Sequence, residues 1–315
     1  MLRLLTLALV FVVLGAQAPI SGQSLTTVRV IGPANDGFTA VFYAVKSGIF
    51  RSYGLDVQTL LVPNGAAAAA ALSGGGAEVA FTNTAIVIQA HAHNVPIQYL
   101  TPGGYTTAQN SLSKVLVLKD SPLKSARDLN GKTFASPALH DINSAMFMNW
   151  VDKTGGDSKT IQQIEVPASA GLGILEQHRA DVVMLTDPLA SQALASGEVR
   201  EFAHPYSVVG TPVDTAGLAV LAPVVDANRD VYERFARAMR EAVAFTNAHP
   251  DQTVDIVASF TGATPDAIRH SQRATSGDYL DPRALQPLID VAAKYGLIDK
   301  GFPATEIISP AAVKP

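Results

Sequence analysis

From Thr27 onward, short apolar runs alternate with longer stretches whose apolar residues recur every three or four positions. Val28-Arg29-Val30-Ile31, halted by Gly32-Pro33, predicts a strand, and Val41 to Phe50 predicts a helix bounded by Gly48 and Gly54. Asp56 to Val62 is a second strand, and Pro63-Asn64-Gly65 turns it into the alanine run Ala66 to Ala71. Alanine has the highest helix propensity and the smallest side chain a helix can carry, so this run predicts a helix packed close on a sheet. Glu78 to Phe81 and Pro96 to Leu100 are further strands, separated by a helix over Thr84 to His93. Strands this short alternating with helices of about ten residues predict βαβ units and a parallel sheet.

A polar passage from Thr101-Pro102-Gly103-Gly104 to Ser113 interrupts the alternation, which then resumes. Strands are expected at Lys114 to Leu118, Thr133 to Ala135, Gln163 to Val166 and Asp181 to Leu185. The helices between and after them cover Asp141 to Thr154, Ser169 to His178 and Pro188 to Ser196. His204-Pro205 to Pro212-Val213-Asp214 forms a second polar passage, followed by a strand over Gly217 to Leu221 and a helical remainder. In that remainder Val231, Phe235, Met239, Ala242 and Phe245 share one face, with Asp230/Arg234, Glu233/Arg237 and Arg237/Glu241 pairs on the other. Two crossings between α/β units imply a discontinuous lobe I, residues 24–105 and 213–315, and an inserted lobe II, residues 106–212. The cleft between them falls at the carboxyl ends of the strands, where open α/β sheets bind ligands.

The first 23 residues differ from the rest. Arg3 precedes Leu4 to Leu14, an apolar run broken only by Thr6, and Gly15-Ala16-Gln17-Ala18 supplies small residues for cleavage. The run is too short for about 30 Å of hydrocarbon and fits a secretory signal, so an exported, periplasmic protein is expected. With no cysteine in 315 residues, a disulfide scaffold, a thiol enzyme and a lipid-anchored amino terminus are all excluded. Lys and Arg number 23 against 27 Asp and Glu, with no basic cluster, which argues against a nucleic-acid partner. At 48% hydrophobic and 16% charged residues the chain must bury a large core.

Catalytic and cofactor motifs fail on inspection, so no cofactor, metal or catalytic residue is expected. Gly131-Lys132-Thr133 resembles the end of a phosphate-binding loop, but Ala126 stands where that loop needs glycine. Gly171-Leu172-Gly173 lacks the third glycine of a dinucleotide fingerprint, and His91 with His93 reads as surface or capping residues. Five polar turns are more informative, because each lies where a strand ends and a helix begins. They are Asn35-Asp36-Gly37-Phe38, Asn64-Gly65-Ala66, Thr82-Asn83-Thr84, Ser136 to Asp141, and Thr186-Asp187. Helix-start N–H groups bind anionic or carbonyl oxygens without a buried lysine, and capping accounts for each turn singly.

Thr39 to Phe50 with Tyr53-Gly54-Leu55-Asp56-Val57 resembles a signature of periplasmic solute-binding proteins. Its relatives serve ABC importers for nitrate, sulfonates, taurine and thiamine-pyrimidine precursors. Ala70-Ala71-Leu72-Ser73-Gly74, Ala77 to Phe81, Lys119 to Lys132, Ala180-Asp181-Val182-Val183 and His249-Pro250-Asp251 match in order, so the resemblance covers about residues 27 to 260. It implies a type II periplasmic binding fold, two α/β lobes with mostly parallel sheets closing on a small molecule and delivering it to permease transmembrane subunits. A monomer is expected, and a ligand-sensing subunit for a membrane kinase is the alternative. The pyrimidine-synthase branch of this resemblance depends on a cysteine-rich segment absent here. By the same resemblance the ligand-binding positions are Asn35, Asp36, Phe38, Asn64, Gly65, Thr82, Asn83, Thr84, Leu139, His140, Asp141, Asn143, Thr186 and Asp187. Many relatives carry an aromatic residue where Thr186 stands, and sulfonate-type relatives have smaller residues than Ala138-Leu139-His140-Asp141 in the middle turn. The expected ligand is a small organic solute: a sulfonate, a carboxylate or a pyrimidine-like molecule. Asp36, Asp141 and Asp187 together would repel an anion unless offset by His140 or by helix-start N–H groups, and would otherwise favour a heterocycle or amine bearing N–H donors.

Overall fold

The computed structural model describes residues 25–107, 111, 113–139, 141–186, 189–210 and 212–315. The amino-terminal segment expected to be an export signal, His140 and Asp187 lie outside the described residues. The chain opens with β1 (Thr26–Pro33), α1 (Thr39–Ser47), α2 (Ile49–Ser52), β2 (Leu55–Val62), α3 (Gly65–Ser73), β3 (Val79–Asn83), α4 (Thr84–Ala92) and β4 (Ile97–Thr106). A second series follows: β5 (Ser113–Leu118), β6 (Thr133–Ser136), α5 (Ile142–Lys153), β7 (Gln162–Glu165), α6 (Gly171–Glu176), β8 (Val182–Thr186), α7 (Leu189–Ser196) and β9 (Val199–Ala203). The chain then returns through β10 (Val213–Leu221) to α8 (Ala222–Ala227), α9 (Arg229–Ala248), α10 (Val254–Thr261), α11 (Pro265–His270) and α12 (Pro282–Lys294).

The strands form two five-stranded sheets, ordered β2-β1-β3-β10-β4 and β7-β6-β8-β5-β9. Within each sheet one strand is reversed, β10 in the first and β5 in the second, and each pairs antiparallel with both neighbours. These are the two strands that the chain enters on crossing from one sheet to the other. The sheets are mostly parallel, as expected, with one reversed strand in each marking the crossing.

Two sequence expectations are corrected. Thr101 to Gly104, read as a break, continues β4, which slips register against β10 at several points. An edge strand tolerates a proline and bulges that a central one does not. Gly103 is required there, since a Cβ would stand 2.5 Å from the Phe81 ring and 2.8 Å from the Gly217 Cα. The second correction is β9, which was not expected: its Val-Arg-Glu-Phe-Ala sequence carries charge that suits a sheet edge.

Each sheet is covered on both faces. Val28 and Val30 of β1 point into a core with α1, α9 and α10, while Ile31 joins the opposite core with α3, α4 and α12. In the second sheet, α5 supplies Phe147, Met148 and Val151 to one face, and α6 and α7 supply Ile174 and Ala190 to the other. On the outer face of α9 the observed ion pairs are Asp230–Arg234 and Arg229–Glu233, while Glu241 accepts from the Tyr53 hydroxyl. The Glu233/Arg237 and Arg237/Glu241 pairs expected from spacing are replaced by these. The two units also share contacts: Met146 of α5 joins the α12 core, the Tyr295 hydroxyl donates to Asp152 at 2.6 Å, and Lys294 lies 3.4 Å from the same carboxylate.

Candidate functional site

The carboxyl ends of the first sheet hold most of the expected residues, and helix capping explains their local geometry. Asn64 precedes α3 in extended conformation and its Oδ1 accepts from the Ala67 amide at 2.9 Å. Asn83 does the same for α4, accepting from the Ile86 amide at 3.0 Å. The two helix starts are packed together through Gly65. A Cβ at Gly65 would lie 3.2 Å from the Thr82 Oγ1 and 3.3 Å from its Cα, so the small residue sets the approach. Thr82 donates to the Gly65 carbonyl at 2.9 Å, and its own carbonyl accepts from the Tyr99 hydroxyl. That hydroxyl shares a hydrogen bond with Thr84 Oγ1, which donates to the Asp214 carbonyl at 2.6 Å. Gly65, Thr82, Tyr99 and Thr84 thus belong to one hydrogen-bonded group that ends on Asp214.

Three of the expected contact residues belong instead to the interior. Phe38 is fully buried and packs edge-on against Phe42 and tilted against Phe81; Thr82 and Thr84 are buried with their hydroxyls already committed. An aromatic residue that opens a helix is as well placed for the core as for a ligand.

Asp36 is not a free charge. Arg273 grips its carboxylate with two nitrogens at 3.0 and 2.9 Å, the Ala274 amide donates at 2.5 Å, and Thr39 Oγ1 at 2.9 Å. Arg273 also reaches the Pro250 carbonyl and Thr253. The segment Gln272 to Ser276 is thereby strapped across the mouth of the first sheet, and the Thr275 carbonyl accepts from the Tyr105 amide of β4. A concavity of about 220 Å³ lies under this strap. Asn35 and Gly37 form one wall, Gly104 to Thr106 with Thr215 another, and Arg273 to Thr275 the roof.

Asp214, not among the expected residues, is the most unusual group here. It is 1% exposed, and among the described residues neither carboxyl oxygen has a hydrogen-bond partner. Burial pushes its pKa well above the usual carboxylate range; the Gly103 and Gly104 amides offset this in part without closing a well-formed bond. Burial likewise raises the pKa of the half-buried Tyr105, and the nearby Asp214 adds to it. A signal was present in the sequence: an aspartate at the edge of the apolar stretch Ala216 to Val220. The polar passage His204 to Asp214 that it closes hides that signal.

The second sheet brings a separate group. Asp141 caps α5, accepting from the Ser144 amide at 2.7 Å, and the Leu139 amide donates to Glu165. Asn143 accepts from the Tyr206 hydroxyl at 3.0 Å. Thr186 ends β8. None of these residues lines the concavity above the first sheet. Among the described residues no three His, Asp or Glu converge as a metal site, and no helix is long and apolar enough to cross a membrane.

Comparison with solved structures places this arrangement. The periplasmic aliphatic sulphonate binding protein SsuA from Escherichia coli superposes with a TM-score of 0.72 at 18% identity, over 93% of this chain and 95% of that one. The periplasmic nitrate-binding protein NrtA from Synechocystis PCC 6803 gives 0.60 at 14% identity, over 91% and 92%. The desulfurization enzyme DSZB gives 0.63 at 13%, over 90% and 96%, so the fold is shared by receptors and at least one enzyme. These likenesses establish the two-lobed α/β fold of periplasmic binding proteins. No curated protein matches the chain in sequence. The family profile described as NMT1/THI5 like matches residues 35–253, which is most of the chain, and the protein belongs to that family.

Proposed function

We propose that the protein is the periplasmic solute-binding component of an ABC importer, which holds a small organic solute between two lobes and releases it to permease subunits. The observation that carries this reading is the grouping of capped helix starts at the carboxyl ends of the first sheet, beside a strapped concavity, in a chain of this family. Lobe I is residues 24–105 with 213–315, lobe II is residues 106–212, and the ligand contacts both. Asn35, Asn64, Gly65, Asn83, Leu139, Asp141 and Asn143 surround it, together with His140, Thr186 and Asp187. Similarity to a sulphonate-binding and a nitrate-binding protein favours a small polar solute, and the amino-terminal apolar run favours export. The reading as a receptor rather than an enzyme rests on a sequence without cysteine and without a nucleophile or cofactor motif.

Solute binding is tested by thermal shift on the purified protein with sulfonates, small carboxylates, pyrimidines and amines. A ligand at about 100 times its Kd adds about 2.7 kcal/mol to stability, which moves the melting temperature measurably. A protein that responds to no solute of any class is not a receptor of this kind.

A further inference from the structure

We infer that the ring of Phe81 sets the depth of the solute site: it closes off an apolar hollow behind the concavity and so limits the length of apolar chain that a solute can carry. The inference rests on the solute-binding reading above and deepens it by naming a residue that selects among solutes.

Phe81 precedes the Thr82-Asn83-Thr84 turn, and alternation along β3 directs it with Val79 into the core shared with α1, α9 and α10. It is 5% exposed and lines two hollows at once. One is the concavity of about 220 Å³ under the strap. The other, of about 30 Å³, is walled by Ala40, Val41, Leu218, Met239 and Val243 of the core. Such a space holds about one methyl group or one water. Asp36, Gly37, Gly103 and the strap residues Arg273 to Thr275 border both hollows, so the two adjoin across a common wall. In that wall the Asp36–Arg273 pair is closed on itself and the glycines carry no side chain, which leaves the Phe81 ring as its one large apolar part.

Three glycines make room for this ring. An added Cβ would stand 2.7 Å from its Cζ at Gly37, 2.5 Å from its Cε2 at Gly103, and 2.9 Å from the Phe81 Cβ at Gly32. They come from β1, the turn after it and β4, so three separate segments give up side chains around one residue. The ring otherwise meets Phe38, tilted at 5.8 Å between centroids. A gap left by a truncated side chain closes only as far as its neighbours can relax into it, and towards Gly37 and Gly103 there is no side chain to do so. Shortening Phe81 therefore joins the two hollows. An apolar chain that fits the outer concavity stops at the ring, and a longer one must leave its end in water or displace the ring.

The test measures Kd by calorimetry along two straight-chain series: methanesulfonate, butanesulfonate and octanesulfonate, and acetate, pentanoate and octanoate. The wild-type protein is expected to bind the short or middle member of at least one series best, and its eight-carbon member at least about tenfold more weakly. Phe81→Leu and Phe81→Ala are expected to raise the affinity of the longest member relative to the shortest by about tenfold or more, the alanine variant more than the leucine variant. A residue that only packs the core would, when shortened, weaken every member alike and leave that ratio unchanged. Phe81→Leu decides alone should Phe81→Ala fold poorly. An unchanged ratio in a folded variant, or a wild-type protein that already prefers the longest member of each series it binds, overturns the assignment to Phe81 and leaves the receptor reading intact. Silence from all six probes overturns the inference as well, and the receptor reading falls with it only if the broader thermal-shift panel is also silent.

Discussion

Single residues set the charge of this site, and they do so by how they are partnered. Sequence composition identified aspartates near the cleft but not which of them is free. Asp36 was legible as a site residue, yet Arg273, which neutralises it, stands more than two hundred positions away, and no local pattern connects them. Conservative replacement tests that clamp. Arg273→Lys keeps the charge and loses the fork that matches a carboxylate, so about 2 kcal/mol of stability should disappear from the urea midpoint at constant m-value; an unchanged midpoint would mean the strap is held by other contacts. Asp214 predicts a pH dependence of opposite character to an ordinary ion pair. Its folded-state pKa lies above its unfolded one, so the stability associated with it is complete below about pH 4 and declines as pH rises through the folded value. Urea titrations of the ligand-free protein from pH 4 upward should show that decline, and Asp214→Asn should flatten it.

At the scale of elements, helices and the central strands were readable because their periodicity is local. The alanine run became α3, and the polar turns became caps of α3, α4 and α5 as their residue types required. What could not be read were pairings. The continuation of β4 through Pro102 and two glycines depends on β10 lying beside it, and β9 depends on β5 for a partner. Propensity argued against a strand in both places, and the tertiary partner prevailed. The capping assignment separates structure from binding at Asn83. Asn83→Ala should cost about 1 kcal/mol through α4 alone, and Asn83→Asp should retain most of it. If stability is unchanged in the alanine variant, the Ile86 amide has found another acceptor.

The whole molecule is two α/β units whose contact runs through α5 and α12. Asp152 accepts from Tyr295 and faces Lys294 across that contact, and Met146 is buried in it. If the solute closes one unit on the other, saturating ligand should reduce the radius of gyration measured by small-angle X-ray scattering; a bound protein of unchanged radius would exclude closure. The resemblance carried by Tyr53-Gly54-Leu55-Asp56-Val57 was enough to read this architecture, whereas the reversed strands were beyond it. Those strands have a consequence for how the protein is made. β10 lies between β3 and β4 in the first sheet, yet it is synthesised only after the whole second sheet. Until Leu221 has emerged, β3 and β4 have no shared neighbour, and the opening hundred residues cannot complete their own sheet. The second unit, contiguous in the chain, can fold first, and the half begun earliest is the half finished last.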